Sequence, residues 1–171
     1  DYRANISHPV YISSRSSLVL SGGVAHQRGE TELFGVSQVT SDLTMANLGI
    51  DWQRRSRLGA FSQVELTLAG NGRERDANQT DRQKVRTQLS FEHLQPLWFG
   101  LQTQLRGNGS WSPDPLVDTQ VAAVGGPGSV RGYEISALRG DQHYFGSLTF
   151  QYPFRFTRSV IMPSIFIDGG G

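Results

Sequence analysis

The stretch Gln63-Val64-Glu65-Leu66-Thr67-Leu68 alternates polar and apolar side chains at every position. Successive side chains of a β-strand point to opposite faces of a sheet, so this alternation predicts a strand with one apolar and one polar face. The polar positions hold hydrogen-bonding groups rather than lysines, and Lys84 is the only lysine of the chain. Such a strand suits a sheet with lipid on one side and polar groups on the other.

The same alternation recurs along the chain, and helical periodicity is absent. It predicts about eight strands, at residues 2–8, 17–24, 46–53, 58–69, 82–93, 97–111, 143–152 and 161–168. The polar face of three central strands is expected to line the interior of a barrel through Gln63, Glu65, Arg86, Gln88, Gln102, Gln104, Arg106 and Asn108.

The connections between these strands alternate in length. Short turns are predicted at residues 8–10, 54–57, 94–96 and 153–159, and long polar loops at residues 29–42, 70–81 and 112–141. An outer-membrane barrel has short turns at one end, long loops at the other and apolar side chains outside. The pattern therefore favours an all-β fold, a transmembrane antiparallel β-barrel, over a soluble sandwich or a lipocalin-like barrel.

Composition excludes several classes of function. Lys and Arg total 16 against 15 Asp and Glu, so the basic excess of a nucleic-acid binder is missing. There is no cysteine, which excludes disulfides and Cys-ligated metals. Four scattered histidines show no ligand spacing, and no Ser/His/Asp set stands out, so neither an enzyme nor a metal or other cofactor is expected; the histidines are His8, His26, His93 and His143.

A second stretch interrupts the alternation: Val124-Gly125-Gly126-Pro127-Gly128-Ser129-Val130-Arg131-Gly132-Tyr133-Glu134. Glycine permits positive φ and close backbone approach, so Gly125, Gly126 and Gly128 are expected to shape a tight loop that presents Arg131. A phosphate-binding glycine loop would be followed by a helix, whereas a strand follows here. We call residues 124–134 the glycine loop.

Asp168 offers this arginine a partner. It alternates with the isoleucines of residues 161–167, so it faces the barrel interior if they face lipid, and a carboxylate there requires a partner. Arg131 is a forked donor on a loop long enough to fold back, and a bidentate pair would hold that loop. The alternative is an exposed Arg131, with Asp168 paired to an arginine of the wall such as Arg106.

Two motifs resemble a known family. Val130-Arg131-Gly132-Tyr133, with the preceding glycines, resembles the VRGY loop of the outer-membrane protein 85 superfamily, and Phe166-Ile167-Asp168-Gly169-Gly170 resembles its F-x-D-G strand motif. Within the superfamily, Trp111-Ser112-Pro113-Asp114-Pro115-Leu116 and Gly140-Asp141 resemble the two-partner-secretion transporters, TpsB. The resemblance implies that Arg131 pairs with Asp168 of the F-x-D-G strand and that Phe166 of the same strand helps to anchor the loop.

The resemblance also implies an architecture. Residues 1–171 would be part of a barrel of about 16 strands in the outer membrane of a Gram-negative bacterium, supplying roughly strands six to thirteen. Residues 112–141 would be an extracellular loop inserted into the lumen. The periplasmic POTRA domains and the last strands would be absent from this piece. The alternative is a small closed barrel.

The implied function is a translocation pore that exports a large partner exoprotein in extended form, as in type V two-partner secretion. The alternative within the superfamily is a barrel assembly or insertion factor, and a small adhesin or hydrolase barrel is a third reading. The protein is expected to lie in outer-membrane lipid. Neither nucleic acid nor a small-molecule substrate is expected as a partner.

Overall fold

The computed structural model describes residues 2–33, 36–74, 85–113 and 122–171, with the backbone alone for residues 27–33, 36–43, 71–74 and 122. A single 3-10 turn, Trp98–Gly100, accompanies the strands of this part of the chain. The strands are β1 (Tyr2–Ile12), β2 (Ser16–Leu33), β3 (Val36–Arg55), β4 (Phe61–Glu74), β5 (Val85–Pro96), β6 (Gln102–Trp111), β7 (Ala122–Val124), β8 (Leu138–Gly140), β9 (His143–Gln151), β10 (Phe154–Arg155), β11 (Val160–Ile161) and β12 (Ser164–Gly170).

Eight of the strands form one sheet in the order β1-β2-β3-β4-β5-β6-β9-β12, and all neighbours in it are antiparallel. The prediction of an all-β antiparallel fold with about eight main strands is confirmed. β1 and β12 stand at the two ends of this order, so the described strands form an open sheet and not a small closed barrel. No helix in the described ranges is long and apolar enough to cross a membrane.

The turn predicted at residues 8–10 is wrong. β1 continues through Pro9 to Ile12, with an irregularity in its pairing between Pro9 and Tyr11. Proline cannot donate to a sheet ladder, but an edge strand with a bulge accommodates it. The chain reverses only after Ile12.

The long loop predicted at residues 29–42 is also wrong. β2 and β3 stay paired until Leu33 lies opposite Val36, so a long hairpin occupies this region. The polar composition of residues 29–42 is compatible with an extended ribbon, because a hairpin satisfies its backbone hydrogen bonds whether or not its side chains are apolar.

The other predicted connections are partly or wholly replaced by strand. β4 runs on to Glu74, and the rest of the loop predicted at residues 70–81 lies outside the described residues. The turn predicted at residues 94–96 is wrong, because β5 extends to Pro96 and the 3-10 turn Trp98–Gly100 makes the reversal. Phe99 and Gly100 adopt positive φ there, at 59° and 81°.

Two small hairpins lie outside the main sheet. β10 and β11 pair within the turn predicted at residues 153–159 and just beyond it. β7 and β8 pair within the loop predicted at residues 112–141, of which residues 114–121 lie outside the described part. The β7–β8 hairpin closes the base of the glycine loop, because Val124 lies opposite Leu138.

The register gives the main sheet two distinct faces, since residues directly opposite in an antiparallel pair share a face. We call the face that carries Asp168 the polar face and the other the apolar face. One row of directly paired residues on the polar face runs Gln53, Gln63, Glu92, Arg106, Ser147, Asp168. Strand alternation from this row puts all the polar residues predicted for the barrel interior on this face: Gln63, Glu65, Arg86, Gln88, Gln102, Gln104, Arg106 and Asn108.

The apolar face is not covered by any described part of the chain. Its rows include Leu20, Ile50, Leu66 and Leu89, and further along the sheet Leu105, Leu148 and Ile167. Ile165 and Ile167 are 73% and 74% exposed, whereas the buried hydrophobic residues of the described part are only Ala60, Val124 and Val130. An apolar surface on this scale is typical of strands that face lipid rather than a protein core.

Candidate functional site

Local hydrogen bonds hold the glycine loop in shape. The N–H of Gly126 donates to the carbonyl of Val130 at 3.2 Å, and the N–H of Ser129 donates to the carbonyl of Gly126 at 3.1 Å. The N–H of Gly125 donates to the hydroxyl of Ser129 at 2.7 Å. Ser129 and Val130 are buried as a result, which gives the loop a fixed shape before it reaches Arg131.

The glycines of the loop are not equivalent. Gly125, Gly126 and Gly132 have positive φ of 125°, 92° and 91°, a region that side chains rarely adopt. Gly128 has no positive φ, and a Cβ added there would meet nothing within 4 Å. The backbone conformation thus requires glycine at positions 125, 126 and 132 but not at position 128.

Arg131 contacts Asp168 through three donors. Its backbone N–H donates to Oδ2 of Asp168 at 2.9 Å, its Nε donates to the same oxygen at 2.7 Å, and its Nη2 donates to Oδ1 at 2.7 Å. The Asp168 side chain is only 2% exposed, against 23% for Arg131. The hydrogen bond to Asp168 raises the pKa of Arg131 further above its ordinary value, so the guanidinium stays charged.

Three more side chains surround the guanidinium. Nη2 also donates to the hydroxyls of Ser147 and Thr149, both at 2.9 Å. The ring of Phe166 lies beneath the guanidinium, with Cζ 3.6 Å from the ring centroid, a cation–π geometry. We call Ser147, Thr149, Phe166 and Asp168 the Arg131 socket.

The Arg131 socket is built by two paired strands. Ser147 lies opposite Asp168 and Thr149 lies opposite Phe166, so β9 and β12 each contribute two residues to one patch of the polar face. The socket therefore requires the β9–β12 register, because a slip by one residue would turn these side chains to the apolar face.

Sequence reasoning selected Asp168 and Phe166 but missed Ser147 and Thr149. The only sequence signal for them is that two small hydroxyl side chains alternate on the polar side of β9, between the larger Phe145 and Gln151. Small side chains leave room for a guanidinium above the sheet. Arg106, the alternative partner for Asp168, instead donates from Nη2 to the carbonyl of Pro127 in the glycine loop, at a long 3.4 Å.

The other motif residues of the loop are placed differently. Val130 is 7% exposed, whereas Tyr133 is 67% exposed. Gly132 provides the positive φ that reverses the chain after Arg131. Among the motif residues, Arg131 is thus the one that the structure brings into the socket.

The predicted interior residues form bridges between neighbouring strands. Five pairs span adjacent strands on the polar face: Gln63–Asp51 at 2.8 Å, Gln104–Glu92 at 2.6 Å, Arg86–Ser110 at 2.8 Å, Asn108–His143 at 2.8 Å and Gln102–Gln151 at 3.3 Å. Glu65 is exposed and Gln88 half-buried on the same face. We call these five pairs the cross-strand ladder. The described residues contain no group of His, Cys, Asp or Glu side chains that could hold a metal ion.

Comparisons with known proteins agree with this geometry. The family model for the haemolysin secretion/activation protein ShlB/FhaC/HecB matches residues 1–171. CdiB from Escherichia coli superposes with a TM-score of 0.81 at 19% sequence identity, covering 98% of this chain and 33% of that chain. CdiB from Acinetobacter baumannii superposes with a TM-score of 0.72 at 17% identity, covering 98% and 31%. A search of curated protein sequences found no match.

These comparisons differ in what they establish. At such identities the CdiB structures establish the fold alone. The chain spans about a third of the length of either one, 33% and 31%.

Proposed function

Because this chain belongs to the haemolysin secretion/activation family of ShlB, FhaC and HecB, we propose that the whole protein is an outer-membrane pore that exports a large secreted partner protein. Family members are outer-membrane β-barrel transporters, and the eight-stranded sheet is a segment of such a barrel. The family is one of secretion channels rather than enzymes. The identity of the cargo and its passage in extended form belong to the proposal.

The two faces of the sheet support a pore. The apolar face is suited to lipid, and the polar face would line the lumen. Amide side chains such as Gln63, Gln102 and Gln104 already hydrogen-bond across strands, so they present few unpaired groups to a passing chain. A polypeptide in extended form would find exchangeable contacts with amide and charged side chains along such a wall rather than strong binding sites.

The observation that carries the proposal is the fastening of the glycine loop by the Arg131 socket. Arg131 makes five hydrogen bonds to residues of the polar face, from a loop that starts and ends outside the main sheet. In a closed barrel that face is the inside, so the loop would lie within the lumen. Export would then depend on a loop held in place at one point of the wall.

Secretion by the full-length protein tests this proposal. We expect Arg131→Ala and Asp168→Ala to reduce the exported partner in the medium at least about tenfold, the loss that removal of a charged hydrogen-bonded pair predicts. The barrel should still insert into the outer membrane, which is measured by the heat-modifiable gel migration of the protein in the outer-membrane fraction. Arg139→Ala is the matched control, because Arg139 is an exposed arginine of the same loop region. Normal export by both the Arg131→Ala and the Asp168→Ala variants would contradict the proposal.

Channel current gives a second measurement. Removal of residues 122–140 from the full-length protein in a lipid bilayer should increase the conductance, because the loop would no longer occupy the lumen. An unchanged conductance would mean that the loop lies outside the pore.

The assembly factor expected as an alternative differs in its cargo. Loss of an assembly factor would deplete many outer-membrane barrels, whereas loss of a secretion pore would deplete one exported protein. Quantitative proteomics of outer membrane and medium after deletion separates the two. The family match favours secretion.

A further inference from the structure

We propose that Ser147 and Thr149 are positioning residues that keep the Arg131 guanidinium in its ion pair and thereby set how often the glycine loop leaves the sheet. This inference rests on the proposed function, in which the fastened loop is part of the pore. It assigns a role to two side chains of β9, a strand that does not carry the carboxylate.

The hydroxyls act on one atom of Arg131. Nη2 donates to Oδ1 of Asp168 at 2.7 Å and to each hydroxyl at 2.9 Å. A terminal guanidinium nitrogen carries two hydrogens, so three acceptors share them. Oδ1 of Asp168 can therefore accept only one of the two N–H groups of Nη2. The two hydroxyls provide acceptors for the other N–H.

Burial makes these acceptors important. Ser147 is 2% exposed and Thr149 is 4% exposed, so water has little access to replace them. A buried donor without a partner costs more than the hydrogen bond itself contributes. Loss of one hydroxyl weakens the fastening but leaves Oδ1 and the other hydroxyl for the two hydrogens of Nη2. Loss of both leaves one N–H without an acceptor and raises the free energy of the fastened loop further, while a released Arg131 would regain its hydrogen bonds from water.

The arrangement also explains why the residue must be arginine. The fork lets Nε and Nη2 reach Asp168 on β12 while Nη2 reaches β9, so one side chain bridges two strands. Lysine has one nitrogen at the end of a flexible chain and cannot span both sets of acceptors in this geometry. Hydroxyl removal should therefore matter in the presence of arginine and matter little in the presence of lysine.

Thr149→Val is the cleanest variant. Thr149 lies opposite Phe166 rather than Asp168, so its hydroxyl is available to Arg131 without serving the carboxylate directly across the strand. Valine keeps the shape and the strand preference of threonine and removes only the hydroxyl. Ser147→Ala is the companion variant, and Thr67→Val on the polar face of β4 is the matched control.

Amide hydrogen exchange of the full-length protein in lipid nanodiscs measures loop release directly. The backbone N–H of Arg131 is bonded to Asp168, so its exchange follows the opening of the socket. We expect Thr149→Val to accelerate exchange in residues 125–132 about fivefold, and the double variant with Ser147→Ala about tenfold or more. Exchange in β6, β9 and β12 should not change, which a general loss of barrel stability would not allow.

Two results would overturn the inference. One is an unchanged exchange rate of residues 125–132 in the double variant. The other is an equal acceleration by Thr149→Val in the wild-type and Arg131→Lys backgrounds, because the hydroxyl would then act independently of the guanidinium.

Secretion measured on the same variants separates this inference from the proposed function. Faster exchange with normal export would support the positioning role and contradict a role of loop fastening in export. Unchanged exchange together with blocked export in Arg131→Ala would contradict the positioning role and leave the proposed function standing.

Discussion

Two regions of the polar face are held together in different ways. The cross-strand ladder joins side chains that the register already places near each other; Gln102 and Gln151, for example, lie directly opposite. The Arg131 socket receives a side chain from a loop, 37 positions before its carboxylate partner in the chain. The ladder stabilises the wall through separate single bonds, whereas the socket concentrates five bonds on one residue.

This difference predicts how each region fails. Leaving one charge of a buried ion pair unpaired is costly, and none of the five ladder pairs joins two opposite charges. Damage to the socket should release the loop at once, because no other described contact of the loop to the main sheet is as strong. Damage to one ladder pair should leave the wall nearly intact.

The largest effect is expected when Arg131 alone is removed. Arg131→Ala leaves the nearly buried carboxylate of Asp168 without its partner, which should cost about 3 kcal/mol in the free energy of unfolding. Addition of Asp168→Asn should recover most of that stability without refastening the loop. Denaturant unfolding of the full-length protein in detergent measures both variants. A double variant as unstable as the single one would show that charge pairing is not what the socket contributes.

A smaller effect is expected from Gly126→Ala. Gly126 has φ of 92°, and an added Cβ would lie 3.0 Å from the side chain of Ile135, so alanine should cost about 1–2 kcal/mol and loosen the loop. Gly128→Ala is the matched control, because that position has neither constraint. Limited proteolysis within residues 122–140 reports the difference, and equal cleavage of the two variants would contradict the role of backbone shape.

Phe166→Leu should have a still smaller effect, of about 1 kcal/mol, because it removes the cation–π contact and keeps the ion pair. Hydrogen exchange of the Arg131 amide measures it. Phe61→Leu is the control, because Phe61 lies on the polar face of β4 in the same register row as Phe166 but four strands away across the sheet. If both leucine variants accelerate exchange equally, the ring contributes packing in general and not a contact with Arg131.

The smallest effect is expected in the cross-strand ladder. Gln102→Met keeps the side-chain length and removes the neutral hydrogen bond with Gln151, which should cost about 0.5–1 kcal/mol in unfolding. Exchange of the glycine loop should not change. Acceleration comparable to that of Phe166→Leu would show that the ladder and the socket are coupled and that the contrast between them is wrong.

The placement of strands shows where sequence reasoning succeeds and fails. Alternation identifies both faces of β4, β5 and β6, because side-chain direction in a strand depends only on position. It misplaces the ends of β1, β2 and β5, since composition near a strand end reflects exposure, whereas pairing is decided by the partner strand. Pro9 and the polar residues 29–33 and 36–42 look like turn and loop in the sequence and belong to strands in the structure.

The site divides in the same way. Alternation alone places Asp168 on the polar face, and the loop that carries Arg131 is recognisable from its glycines and from its resemblance to a known family. The contribution of Ser147 and Thr149 is not recognisable, because serine and threonine on the polar side of a strand are ordinary. Their position under Nη2 depends on the pairing of β9 with β12 and on the path of a loop between them.

The sequence by itself therefore determined the two-faced strands, their approximate number and the residue types available for an ion pair, because each follows from local alternation and backbone preference. Only the tertiary structure decided which acceptors lie within 2.9 Å of the Arg131 side chain. Such distances join three segments, the glycine loop, β9 and β12, that are separate in the chain. Hydrogen bonds of this length require all three segments to be placed together, and no local sequence pattern encodes that placement.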